Sequence, residues 1–252
     1  MTWLIAFVFL VLGMIIASFA AVMSERIYTG QSWVRDRSRC NSCAEPLHAR
    51  DLVPVLSWLA TSGRARCCGT RVTGMYAAGE TVLGVLFALS YLSIGLGAPL
   101  VAFLAALSVL AFIVLYDLRH TVVPPLASTA LILLSGVYAL LVSRSVSEIG
   151  LTLIMAGAIG LCFWALHAFS RGRAMGLGDA PVALALTLLI GPYQAIAGLL
   201  FSFWIGAVIG IVILVSRPVG HRIGIEVPFV PFLALGYLLA FFTQWNPLSF
   251  GL

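Results

Sequence analysis

Two of the nine acidic residues stand where acid and base chemistry can be done: Asp117 in LYDLRHTVVPP and Asp179 in MGLGDAPV. Both border long apolar runs. A charge at the end of a membrane helix is costly, so it calls for a partner or a purpose. Two carboxyl groups held close together cannot both ionise cheaply. They share a proton, and one serves as base while the other serves as acid. Such a pair can hydrolyse a peptide bond with no metal, cofactor or covalent nucleophile: the ionised member takes a proton from water, and the neutral member protonates the carbonyl oxygen. Gly176 and Gly178, on either side of Leu177, let a substrate backbone come close. The bland alternative pairs Asp117 with Arg119 and makes Asp179 the cap of a helix opening at Ala180 and Pro181.

A second cluster is made of sulfur. Four of the five cysteines, Cys40, Cys43, Cys67 and Cys68, fall between residues 40 and 68. Four thiolates can close a tetrahedral zinc site and so fold a small loop. The expected ligands are Cys40, Cys43 and Cys68 with either Cys67 or His48; reduced cysteines of structural role are the alternative. Cys162 lies in an apolar run and reads as packing.

The elements that must position these groups follow from composition. The chain has 252 residues, 62% hydrophobic and 9% charged, with a mean hydropathy of +1.09. A soluble domain carries about 25% charged residues, so an integral membrane protein is expected. The apolar runs do not alternate, which excludes a barrel. They run from Trp3 to Met23, Tyr76 to Ile94, Pro99 to Tyr116, Pro125 to Val142, Ile149 to Phe169, Ala180 to Ile190, Ala195 to Val215 and Pro228 to Phe242. The fold expected is all-α, a polytopic bundle of about eight transmembrane helices in contact with membrane lipid. The first run has no basic stretch before it and no small-residue cleavage site after it, so it reads as a retained helix.

All 14 basic residues are Arg. Basic loops stay cytoplasmic. Placing the loop from Ser24 to Met75 inside, and alternating thereafter, puts 13 of the 14 inside, among them Arg35, Arg119, Arg217 and Arg222, and leaves Arg144 outside. Both aspartates then share the cytoplasmic face. Charge that follows the loops in this way is membrane topology, and it excludes nucleic acid as a partner. Residues 1–24 are expected to form the first helix, 25–75 a small cytoplasmic cysteine loop and 76–252 the remaining bundle. His120 and His167 read as interfacial polar residues, and His221 and Glu226 as solvated.

With these residues in view, the chain resembles the bacterial type IV prepilin peptidases, the bifunctional leader peptidase and N-methyltransferase family, over nearly its whole length. GMIIASFAAVMSER, the cysteine loop with Pro54, Ser57, Trp58, Gly63 and Arg64, the Asp117 region with Pro124, MGLGD, and VPFVPFLALG recur in family order. The resemblance implies an aspartyl peptidase of the GxGD type with Asp117 and Asp179 catalytic. It implies residence in the bacterial inner membrane and cleavage of prepilin or pseudopilin leaders at the cytoplasmic boundary. It further implies methylation of the new N-terminus with S-adenosylmethionine. Glu80, at the start of the second apolar run, would bind the leader or pair with Arg71. Three departures stand out: Ala65 where a Cys is expected, Pro181 where relatives carry Lys, and Pro125 after Pro124 where Asp is common. The rival reading is a membrane assembly or transport component without catalysis, its acids paired structurally.

Overall fold

The computed structural model describes residues 1–30, 32, 37–173, 175–216 and 227–245. The expectations on Arg35, Arg217, His221, Arg222 and Glu226 lie outside them. Nine α-helices occur among the described residues: α1 (Thr2–Thr29), α2 (Leu56–Ala60), α3 (Met75–Ile94), α4 (Ala98–His120), α5 (Pro125–Val142), α6 (Val146–Ser170), α7 (Asp179–Ile190), α8 (Pro192–Ser216) and α9 (Val230–Thr243). No strand forms among these residues; two isolated antiparallel bridges join Arg39 with Pro46 and Arg64 with Arg71. The fold is all-α. Six helices are long and apolar enough to cross a membrane, and α7 and α9 are shorter apolar helices. Together they are the eight runs expected, in a multi-pass membrane protein.

Two compact units make up the chain, Met1–Leu96 and Gly97–Leu252. In the first, α1 and α3 cross at a pair of glycines. A β-carbon on Gly13 would stand 2.7 Å from the Leu83 carbonyl oxygen, and one on Gly84 would stand 2.8 Å from that of Leu10. Small residues allow such close approach in lipid, where packing rather than water drives association. Phe9 and Tyr91 stack across the same pair with ring centroids 5.3 Å apart. α1 runs six residues beyond Met23 because Ser24 and Arg26 are buried against the unit.

In the second unit α7 lies at the centre, packed against α5, α6, α8 and α9. Its Val182, Ala183, Ala185, Leu186 and Leu189 are fully enclosed. Twelve residues are too few for the hydrocarbon core, which takes about 20. Protein on all sides removes that demand. The Thr187 and Tyr237 hydroxyls meet at 3.2 Å and tie α7 to α9. These two hydroxyls thus find partners inside the bundle, while Val208, Ile211, Val212 and Val215 of α8 face outward.

Candidate active site

Asp117 lies one turn inside α4, which continues to His120. Arg119 and His120 in that last turn suit the negative end of the helix dipole. Thr121 then takes a left-handed conformation and returns its N–H to the Asp117 carbonyl at 2.8 Å. The chain turns through Pro124 into α5, where Pro125 occupies the first helical position, one at which its missing N–H costs nothing. Asp179 is the first residue of α7. Its carboxylate accepts a hydrogen bond from the Gly176 N–H at 3.1 Å, so the acid reaches back over its own approach loop.

Both acids are withdrawn from solvent, Asp117 to 5% and Asp179 to 6% exposure. What joins their helices is the fit of Gly178 against Val123. A β-carbon at 178 would stand 2.5 Å from that of Val123, so only glycine lets the second loop seat on the segment after α4. The Val230 N–H, at the opening of α9, is directed at Asp117. The Oδ2 of Asp117 is buried and has no protein hydrogen-bond partner among the described residues. One oxygen of the pair is therefore free to engage water or a scissile carbonyl.

Sequence reasoning passed over three parts of this arrangement. Val123 and Val230 act through bulk and a backbone amide, which no residue type announces. His167, read as interfacial, bonds through Nδ1 to the Met175 carbonyl oxygen at 2.9 Å. Gly176 and Leu177 are exposed, while the space beside Gly178 is taken by Val123.

The four expected cysteines form a cluster in the first unit, all ligand atoms within 4.8 Å of one another. The Sγ atoms of Cys43 and Cys67 are 3.3 Å apart, those of Cys40 and Cys68 3.7 Å, and those of Cys67 and Cys68 3.9 Å. Zinc–sulfur bonds of about 2.3 Å at tetrahedral angles put sulfurs about 3.8 Å apart, so the cluster fits zinc. His48, the N-cap of the short 3-10 helix Ala49–Asp51, is not among the clustered ligand atoms, so Cys67 is the fourth candidate. The amides of Cys43 and then Ser42 lower the Cys40 thiol to about 6, and Cys67, sharing hydrogen bonds with Cys43 and Cys40, is pushed up to about 12. Thiolate character at Cys40 is what metal binding needs.

The loop is built from two matching turns. In the first, the Cys40 N–H bonds to Glu45 O and the Ala44 N–H to Cys40 O; in the second, the Ala65 N–H bonds to Thr70 O and the Gly69 N–H to Ala65 O. Ala44 and Gly69 take the same left-handed conformation, with φ of 59 and 72°. Cys43 and Cys68 thus occupy equivalent places, and Ala65 is the counterpart of Cys40. Cys67, two residues further on, makes good the missing sulfur. Glu80 of α3 anchors this loop by accepting the Val55 N–H at 2.7 Å. Between the loop, the end of α1 and the start of α3 lies a cleft of about 1680 Å³, with Glu25, Glu45, Trp58, Tyr76 and Glu80 among its walls.

Two family models match this chain: the bacterial peptidase A24 N-terminal domain over residues 11–94 and the type IV leader peptidase family over residues 102–211. Among similar proteins, a prepilin leader peptidase/N-methyltransferase of Bacillus subtilis is 27% identical over 242 residues, covering 95% of this chain and 95% of that protein. One of the same name from Myxococcus xanthus is 33% identical over 213 residues, 82% of this chain and 62% of its own length. Another, from Klebsiella pneumoniae, is 32% identical over 167 residues, 63% of this chain and 70% of its own. No solved structure matches the chain.

Proposed function

This chain belongs to the type IV leader peptidase family, and on that premise we propose that Asp117 and Asp179 hydrolyse the leader peptide bond of prepilin or pseudopilin substrates at the cytoplasmic face of the bacterial inner membrane. The observation that supports this reading is a pair of buried acids on segments that pack together through Gly178 and Val123, one of the acids having an oxygen that no described protein group satisfies. With one proton between them, the ionised carboxylate draws a proton from water as the water oxygen bonds to the scissile carbonyl carbon. The neutral acid donates to the carbonyl oxygen, and proton return to the leaving nitrogen breaks the C–N bond. The exposed Gly176 and Leu177 lie beside the pair, where an extended substrate strand can settle. Each of Asp117→Asn and Asp179→Asn is expected to abolish cleavage of a co-expressed prepilin while membrane abundance stays unchanged. Cleavage retained in either would overturn the assignment and favour the rival structural role for the acids.

The cleft of the first unit favours a second activity, methylation of the new N-terminal amine. S-adenosylmethionine, when bound, supplies an electrophilic methyl group. A cleft of about 1680 Å³ exceeds the roughly 300–1,000 Å³ of ordinary ligand pockets, leaving space for a donor and a peptide end together. Its walls carry both signs, with Glu25, Glu45, Asp51 and Glu80 standing among seven arginines, a setting for a zwitterionic donor, and Tyr76 and Trp58 offer aromatic faces. Zinc held by Cys40, Cys43, Cys67 and Cys68 would keep the loop folded. Mass spectrometry of a pilin's mature N-terminus, from cells with and without this protein, reads cleavage and methylation together; an unmethylated mature end would reject the second activity alone.

A further inference from the structure

We propose that His167 is a positioning residue of the peptidase site, clamping the Met175–Gly176 peptide group so that its N–H stays aimed at the Asp179 carboxylate. The inference rests on the reading of Asp179 as catalytic. The two hydrogen bonds involved belong to one peptide unit: its carbonyl oxygen lies 2.9 Å from His167 Nδ1, and its N–H donates to Asp179 Oδ2 at 3.1 Å. A peptide unit is planar, so turning it breaks both bonds at once. A carbonyl oxygen only accepts, which makes Nδ1 the protonated ring nitrogen.

The surroundings show why a clamp is needed. α6 ends in a tight turn in which Arg171 and Gly172 are left-handed, with φ of 52 and 76°, and the Gly172 N–H returns to the His167 carbonyl at 2.9 Å. The imidazole lies over that turn: a β-carbon on Gly172 would be 3.3 Å from its Cε1. Beyond the turn the chain has little burial of its own, since Gly176 is exposed and Leu177 is 56% exposed. Glycine at 176 also offers little resistance to rotation of the preceding peptide. A flipped unit would turn its carbonyl oxygen toward Asp179 and withdraw the donor, misplacing an acid whose angle to the scissile bond governs the rate.

The test uses the full-length protein in lipid nanodiscs, with prepilin cleavage kinetics and amide hydrogen exchange over residues 175–179. His167→Leu removes the donor and fills the volume. His167→Asn carries an amide nitrogen on Cγ, where Nδ1 stood. His167→Leu is expected to lower kcat about ten- to a hundredfold, the range a small misplacement of a catalytic group produces, with KM little changed and faster exchange at Gly176. His167→Asn is expected to restore most of both. Wild-type kcat in His167→Leu, or a His167→Asn variant as impaired as His167→Leu, would overturn the clamp. Asp179→Asn, run in parallel, separates the two ideas: if it cleaves normally the catalytic reading fails, and the exchange comparison still decides whether His167 holds the peptide.

Discussion

Val123 fills the volume that a β-carbon at position 178 would need, so a single methyl group can unseat the second aspartate from the first. Gly178→Ala is therefore expected to lower leader cleavage at least tenfold, in line with the roughly 1–3 kcal/mol that overpacking costs. Adding Val123→Gly should recover part of the rate, because it removes the β-carbon and both methyl groups that stand in that space; in-membrane cleavage assays on the single and double variants measure both. The two acids stand out in the amino-acid sequence, since an intramembrane carboxyl is rare enough to single out, and both are buried. Their surroundings do not stand out there. The contact between Gly178 and Val123 spans 55 residues of chain, and the Val230 amide pointing at Asp117 belongs to every non-proline residue alike. His167 bonds to a backbone carbonyl eight residues on, a separation set by the turn at Gly172 rather than by helical period.

At the scale of elements, apolar runs located the six long helices and the two shorter ones to within a few residues, because lipid demands length and hydrophobicity in one stretch. Helix ends were harder to read. α1 carries on through Ser24 and Arg26, and α4 through Arg119 and His120, where polar residues are covered by neighbours or complement the helix dipole. The paired turns of the cysteine loop were hidden by the adjacent Cys67 and Cys68, which look strained until their hydrogen bonds are laid beside those around Cys40. Equivalence of Cys40 and Ala65 leads to a sharp expectation. With the cluster as the proposed zinc site, Cys67→Ser should lower the zinc content of the purified protein, and Ala65→Cys combined with Cys67→Ser should restore it, as measured by metal analysis. Failure of the double variant to bind would mean that the two turns are not interchangeable as ligand frames.

Across the whole molecule, the cysteine cluster and its cleft belong to one compact unit, and both aspartates belong to the other. Two chemistries with separate sets of groups ought to fail separately. Chelation, or Cys43→Ser, is expected to remove methylation of the mature N-terminus and to leave leader cleavage intact, with mass spectrometry of the pilin reporting both. Loss of cleavage in step with methylation would show that the peptidase needs the folded loop. The long helices were visible from composition alone, yet the division into these units was not, because it depends on which helices pack together: α1 chooses α3 through Gly13 and Gly84, a choice encoded in small residues that occur throughout the chain.

The twin turns around Cys43 and Cys68 also bear on how such a loop can drift during descent. An ancestor with sulfur at both 65 and 67 would have had one thiol to spare, and either could be lost without opening the tetrahedron. What the loop requires is then the ring of four sulfurs rather than any one spelling of it, and a pair placed at 67 and 68 serves as well as one at 65 and 68.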